Sequence, residues 1–189
     1  MNNLEKELKE AESCYSRGEY RNAYQRYLSL AEADHAESQV FIGWMLLNGI
    51  GTAKAPDRAS YWFRRGASLG SARGAFFYGR YLTSKGMHED ALAWYRVAAT
   101  QQDIPSLFRV GYSLTRGKGT AVNLEKGYEY LNSAAKKGHV FALREISLQD
   151  LKGGRGLLGR VGGPFLFLFS ILLGLIVALR DRFSERLLA

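Results

Sequence analysis

Along residues 1–150, apolar and small side chains recur at helical spacing between polar, glycine-rich turns, whereas 161–179 contains no charged side chain. The first region also repeats itself. Aligning AESQVFIGWMLLNGIGT, ARGAFFYGRYLTSKG and IPSLFRVGYSLTRGKGT places Gly43, Gly79 and Gly111 in register. The segments that follow align as well. Ala23, Ala59, Ala91 and Gly127 match, as do Ala31, Ala67, Ala99 and Ala135, with a long, a short and again a long step between them. The short step arises where GIGTAKAPD and GKGTAVN shrink to KGMHED. Each unit predicts two helices joined by a tight turn, with small residues where the helices approach closely. One such hairpin cannot bury its apolar face alone, so the hairpins are expected to stack on one another around a continuous core.

These residues resemble the Sel1-like repeat, a relative of the tetratricopeptide repeat. One repeat carries the pattern as Ala36, Gly43, Gly49, Gly51, Asp57, Ala59, Trp62, Ala67 and Gly70, and another as Gly111, Gly117, Gly119, Asn123, Tyr130, Ala134, Ala135 and Gly138. The middle repeat lacks the second turn glycine and its loop. With a degenerate leading hairpin and a closing helix near 140–151, the similarity covers most of residues 3–150. It implies an all-α, right-handed superhelical solenoid occupying 1–151, and the role of an adaptor whose partners differ from case to case.

The apolar run predicts something different. As a helix, 161–179 would span about 28 Å, close to the ~30 Å hydrocarbon core of a bilayer. After Pro164 come three Phe, six Leu, two Ile and one Val. At roughly −0.3 to −0.6 kcal/mol each, these favour insertion by about 4–7 kcal/mol. The expected organisation is therefore a repeat domain at 1–151, a Gly-rich basic linker at 152–163, a single transmembrane helix at 164–180 and a short basic tail at 181–189. The lipid bilayer is the expected partner of 161–179. Lys152, Arg155 and Arg160 on one flank, and Arg180 and Arg182 on the other, are placed to meet anionic headgroups.

Charge sharpens this division. The net charge is +8: residues 1–150 hold 20 basic against 16 acidic side chains and 151–189 hold 6 against 2, so the short tail carries half the excess. No basic stripe suited to nucleic acid is evident, and no nucleic-acid partner is expected. Basic counts on the two flanks are nearly equal and leave orientation open. The charged start MNNLEKELKE has no apolar run of the secretory type, which predicts repeats in the cytoplasm beneath a bacterial inner membrane.

Catalytic and cofactor chemistry find no foothold in the sequence. His35 and His139 occupy one inter-repeat position, filled by Ser71 and Asp103 elsewhere, and His88 lies in the shortened turn, so no metal site is expected. RGKGT at 116–120 is a turn equivalent to NGIGT and not a phosphate loop, because Gly119 follows Lys118 and Tyr112 stands where the motif needs glycine. Cys14, the single cysteine, has no catalytic signature around it. No enzyme activity and no cofactor are expected.

What remains is surface. If the register glycines mark each first helix's close contact, the inner face is predicted at Trp44, Arg80 and Tyr112, one residue after each glycine; at Val40, Phe76 and Phe108, three before; and at Arg73, Asn48 and Arg116 at the ends of the row. Aromatic and arginine residues clustered in this way are the composition of a protein-binding hot spot. The expected function is a membrane-anchored adaptor or scaffold binding a protein partner in the groove, in a cell-envelope, secretion or exopolysaccharide assembly. The alternative is a small accessory subunit of an integral membrane enzyme or transporter complex.

Overall fold

The computed structural model describes residues 3–152, 162–165, 167–173 and 175–176. The chain divides into two compact units, Met1–Asp103 and Ile104–Ala189. In the first, α1 (Asn3–Ser16), α2 (Tyr20–Glu32), α3 (Ala36–Asn48), α4 (Pro56–Ser68), α5 (Ala72–Ser84) and α6 (His88–Thr100) form three hairpins. The first helices of successive hairpins, α3 and α5, also touch. The second unit contains α7 (Ile104–Arg116), α8 (Leu124–Lys136) and α9 (Val140–Leu151), and no strand occurs among the described residues.

The register glycines sit where the two helices of a hairpin come closest. A Cβ on Gly43 would lie 2.5 Å from Phe63 Cε1 and 3.1 Å from the Ala59 carbonyl; one on Gly79 would lie 2.7 Å from Tyr95 Cε1. In the second unit, a Cβ on Gly111 would stand 2.8 Å from Leu131 Cγ and 2.9 Å from the Gly127 carbonyl. Each glycine thus gives its space to a large side chain of the paired helix. That exchange accounts for glycine and a bulky residue recurring together, since interiors tolerate no overlap and few voids.

The turns between hairpins share one backbone solution. Asp34, Gly70, Gln102 and Gly138 all adopt positive φ, at 61°, 91°, 61° and 90°. The residue after it begins the next helix: Ser71 accepts a hydrogen bond from the Gly74 amide at 3.2 Å, and His35 Nδ1 accepts from the Ser38 amide at 3.3 Å. Asp34 offsets its backbone strain with contacts, because its carboxylate receives Arg65 Nη2 at 2.8 Å and Gln39 Nε2 at 3.2 Å.

The C-terminal stretch is helical at 162–165, 167–173 and 175–176. Gly163 is buried, and a Cβ there would meet Asp150 Cβ at 3.2 Å and the Ser147 carbonyl at 3.3 Å, so this stretch starts against the end of α9. Ser170 is buried on the same side, whereas Phe165, Leu168, Phe169, Ile171, Leu172, Leu175 and Ile176 are all at least half exposed. With the angular step of an α-helix those seven occupy one continuous arc opposite Gly163 and Ser170. Among the described residues no helix is long and apolar enough to cross a membrane. Residues 161, 166, 174 and 177–179 of the predicted span lie outside the described residues, as do Arg155, Arg160, Arg180 and Arg182.

Candidate protein-docking site

The predicted row divides into residues that face outward and residues that do not. Val40 is 2% exposed and belongs to the core of the first unit, so it presents no side chain to a partner. The cause is angular. A residue three before the glycine is only about 60° away from it around the helix, on the side that packs against the second helix of the hairpin. A residue two before is about 160° away, nearly opposite. The outward stripe of α3 is accordingly Glu37, Phe41, Trp44 and Asn48, and that of α5 is Arg73, Phe77, Arg80 and Ser84. Phe41 and Phe77 are the members that the sequence reading missed. Their signal was there, as aromatic residues at the same offset from Gly43 and Gly79.

Phe41 centres an aromatic cluster with Tyr27 at 4.3 Å, Tyr15 at 5.3 Å and Trp44 at 5.5 Å between ring centroids. Tyr15, Tyr27 and Phe41 line an open pocket of about 370 Å³ together with Glu12, His35, Glu37 and Arg73. Burial, then Glu12 and Tyr15, push the Tyr27 phenol up to about 12, which keeps its hydroxyl protonated. Arg73 is largely exposed and approaches Glu37 at 3.9 Å, a pair of little energetic weight at that distance and exposure. Asn48 is exposed and donates from Nδ2 to the Trp44 carbonyl at 2.8 Å. Phe76 is half-buried and packs in a small cluster with Ala67, Ala75 and Ala98, and Arg80 spreads over Phe76 and Phe77, 5.8 Å from each ring.

In the second unit, Phe108 stacks on His139 at 4.5 Å and lies 5.9 Å from Tyr112. Arg116 covers Tyr112 at 5.5 Å, yet its guanidinium is already engaged: Nε and Nη2 donate to Glu145 at 2.6 and 2.9 Å. Glu145 also accepts from Gln149 at 2.9 Å. Arg116 is therefore an internal brace between α7 and α9. His139 is half-buried; burial foremost, then the Arg109 charge, holds its pKa below the ordinary 6.5. Among the described residues, no three His, Cys, Asp or Glu side chains converge to hold a metal ion.

Helix hairpins repeated in register, with Gly43, Gly79 and Gly111 at the closest contacts of α3–α4, α5–α6 and α7–α8 and aromatic residues along α3, α5 and α7, define a protein suited to interaction through repeats. The Sel1 repeat family model matches residues 36–71, 73–103 and 104–139, more than half of the chain. The chain belongs to the Sel1 repeat family. Among solved structures it is similar to a Sel1 repeat protein from Oxalobacter formigenes, with 25% identity and a TM-score of 0.70 over 79% of this chain and 61% of that one. It is also similar to c5321, a protective antigen of uropathogenic Escherichia coli with an SLR fold, at 22% identity and TM-score 0.72, covering 80% of this chain and 34% of the other. A third likeness, to MamA, has 15% identity and a TM-score of 0.62 over 89% and 96% of the two chains. The chain thus spans about three fifths of the length of the first relative and one third of the second. No curated protein matches the sequence significantly.

Proposed function

We propose that this Sel1-repeat protein is a non-enzymatic adaptor that docks a protein partner on the aromatic stripe of its first helices and is held at a membrane by residues 161–179. The observation that carries the docking half is the open pocket lined by Tyr15, Tyr27 and Phe41, with Trp44 packed beside Phe41, because part-exposed aromatic residues such as Tyr15 and Phe41 in a concavity are what partner hot spots are made of. Support for the anchor comes from the charge-free run and from the seven exposed apolar residues within it. A contiguous exposed apolar arc of this kind is characteristic of membrane or protein contact. The repeats are proposed to lie in the cytoplasm, under a bacterial inner membrane, in a cell-envelope, secretion or exopolysaccharide assembly.

Two measurements test this reading. Partner capture by the full chain should fall on Phe41→Ala and Trp44→Ala and persist on Val40→Ala, which acts on the core alone; capture indifferent to the aromatic pair rejects the docking face. Separately, the chain should remain in the pellet after alkaline carbonate extraction of membranes, and release of the full-length protein into the supernatant refutes the anchor. A second reading, an accessory subunit of a membrane enzyme or transporter complex, draws on the same exposed arc of 165–176, which would then pack on a multispan subunit. A stoichiometric multispan partner in mild detergent favours it.

A further inference from the structure

Deepening the docking reading, on which it rests, we infer that a second pocket in the first unit takes an acidic segment of the partner, with an aliphatic or aromatic side chain on its floor and a carboxylate on Arg80. The pocket, about 300 Å³, is lined by Leu47 of α3, Pro56 and Phe63 of α4, Phe77, Arg80, Tyr81 and Ser84 of α5, and Lys85 just after it. Its floor is apolar: Phe63 and Phe77 stack with centroids 4.9 Å apart. The volume suits one large side chain, since whole small-molecule ligands fill cavities from this size upward.

The charges at the rim are unequal in a way that selects the occupant. Lys85 is neutralised locally, 3.2 Å from Asp57, which also accepts the Tyr81 hydroxyl at 2.9 Å. Arg80 differs. It is exposed, it lies over two phenyl rings, and among the described residues no carboxylate lies within ion-pairing distance of it. Held over the rings, the guanidinium is oriented, and a planar fork held in this way matches a carboxylate in two-point geometry. The site therefore offers one uncompensated positive charge beside an apolar floor, and the complement is one negative charge beside an apolar side chain. The recognised pattern is an apolar residue close in sequence to Asp or Glu.

Random octapeptides displayed on phage and selected against the full chain in mild detergent test this, followed by fluorescence anisotropy on the synthetic peptides that emerge. The expected result is enrichment of peptides that pair an apolar residue with a nearby Asp or Glu. Binding should weaken about tenfold both on Arg80→Ala and on replacing the peptide's Glu by Gln, and the two losses should fail to add when combined. Arg80→Lys should recover only part, because it keeps the charge and loses the fork. Arg80 is exposed, so its variants should fold as the wild type does, which circular dichroism verifies. Peptides whose affinity ignores Arg80→Ala but falls on Phe41→Ala overturn the pocket and leave the docking reading standing. Arg80-dependent binding of dodecanoate with no peptide bound also overturns it, as does the absence of any enriched peptide. If partner capture that depends on Trp44 is absent too, the docking reading falls with it.

Discussion

Replacing Gly43 by alanine sets two effects of known size against each other. Alanine gains about 1 kcal/mol over glycine in a helix interior. The new methyl, however, would stand 2.5 and 2.7 Å from Phe63 Cε1 and Cδ1, inside any real carbon contact, and 3.1 Å from the Ala59 carbonyl. Phe63 is 2% exposed and stacked on Phe77, so its ring has little room to withdraw. Overpacking of this kind costs roughly 2–3 kcal/mol, which leaves a net loss of about 1–2 kcal/mol. Shortening the neighbour isolates the cause. In a Phe63→Leu background the same glycine change should cost less than about 0.5 kcal/mol, giving a coupling of at least ~0.5 kcal/mol in the double-mutant cycle. The chain's three tryptophans, Trp44, Trp62 and Trp94, all lie in the first unit, so denaturant midpoints followed by tryptophan fluorescence report on that unit. A Gly43→Ala variant as stable as the wild type, or an equal cost in both backgrounds, refutes the idea that this glycine exists to admit the Phe63 ring.

Three further outcomes are expected. Gln102→Gly should raise the stability of the first unit by about 0.5–1 kcal/mol in the same denaturation assay, because it relieves a left-handed backbone. Asp34→Gly should not, since it removes the acceptor of Arg65 and Gln39. Glu145→Ala should destabilise the second unit by about 2 kcal/mol, because it strands the Arg116 guanidinium and the Gln149 amide. Faster hydrogen exchange in peptides from α7 and α9 reads this directly. His139 makes the second unit sensitive to acid. Its folded pKa is depressed below 6.5, so the unfolded chain binds more protons as pH falls. The stability it leaves intact above 6.5 is eroded below that value, until the folded state titrates as well. The same exchange measurement at pH 7.5 and 5 should show a larger loss in the wild type than in His139→Gln.

Sequence alone determined the repeat and its helix pairs. A glycine and a bulky partner can keep a common register from unit to unit only if the same close helix crossing recurs, so periodicity reads out packing directly. It also located the charge-free run from Val161 to Leu179, because hydropathy is a local property. The partner-facing stripe was legible only to within one helical position: aromatic residues stand both three before the register glycines, at Phe76 and Phe108, and two before, at Phe41 and Phe77, and all four are half-buried, so residue type does not separate them. Tertiary structure decided the place of Val40, which it buries in the core. It also decided the fates of three arginines that look alike in the chain. Arg116 finds Glu145 in a different helix, Arg73 lies loosely by Glu37, and Arg80 is left to two phenyl rings. Whether a charge is spent or free depends on partners brought near by folding, and no local pattern encodes that distance.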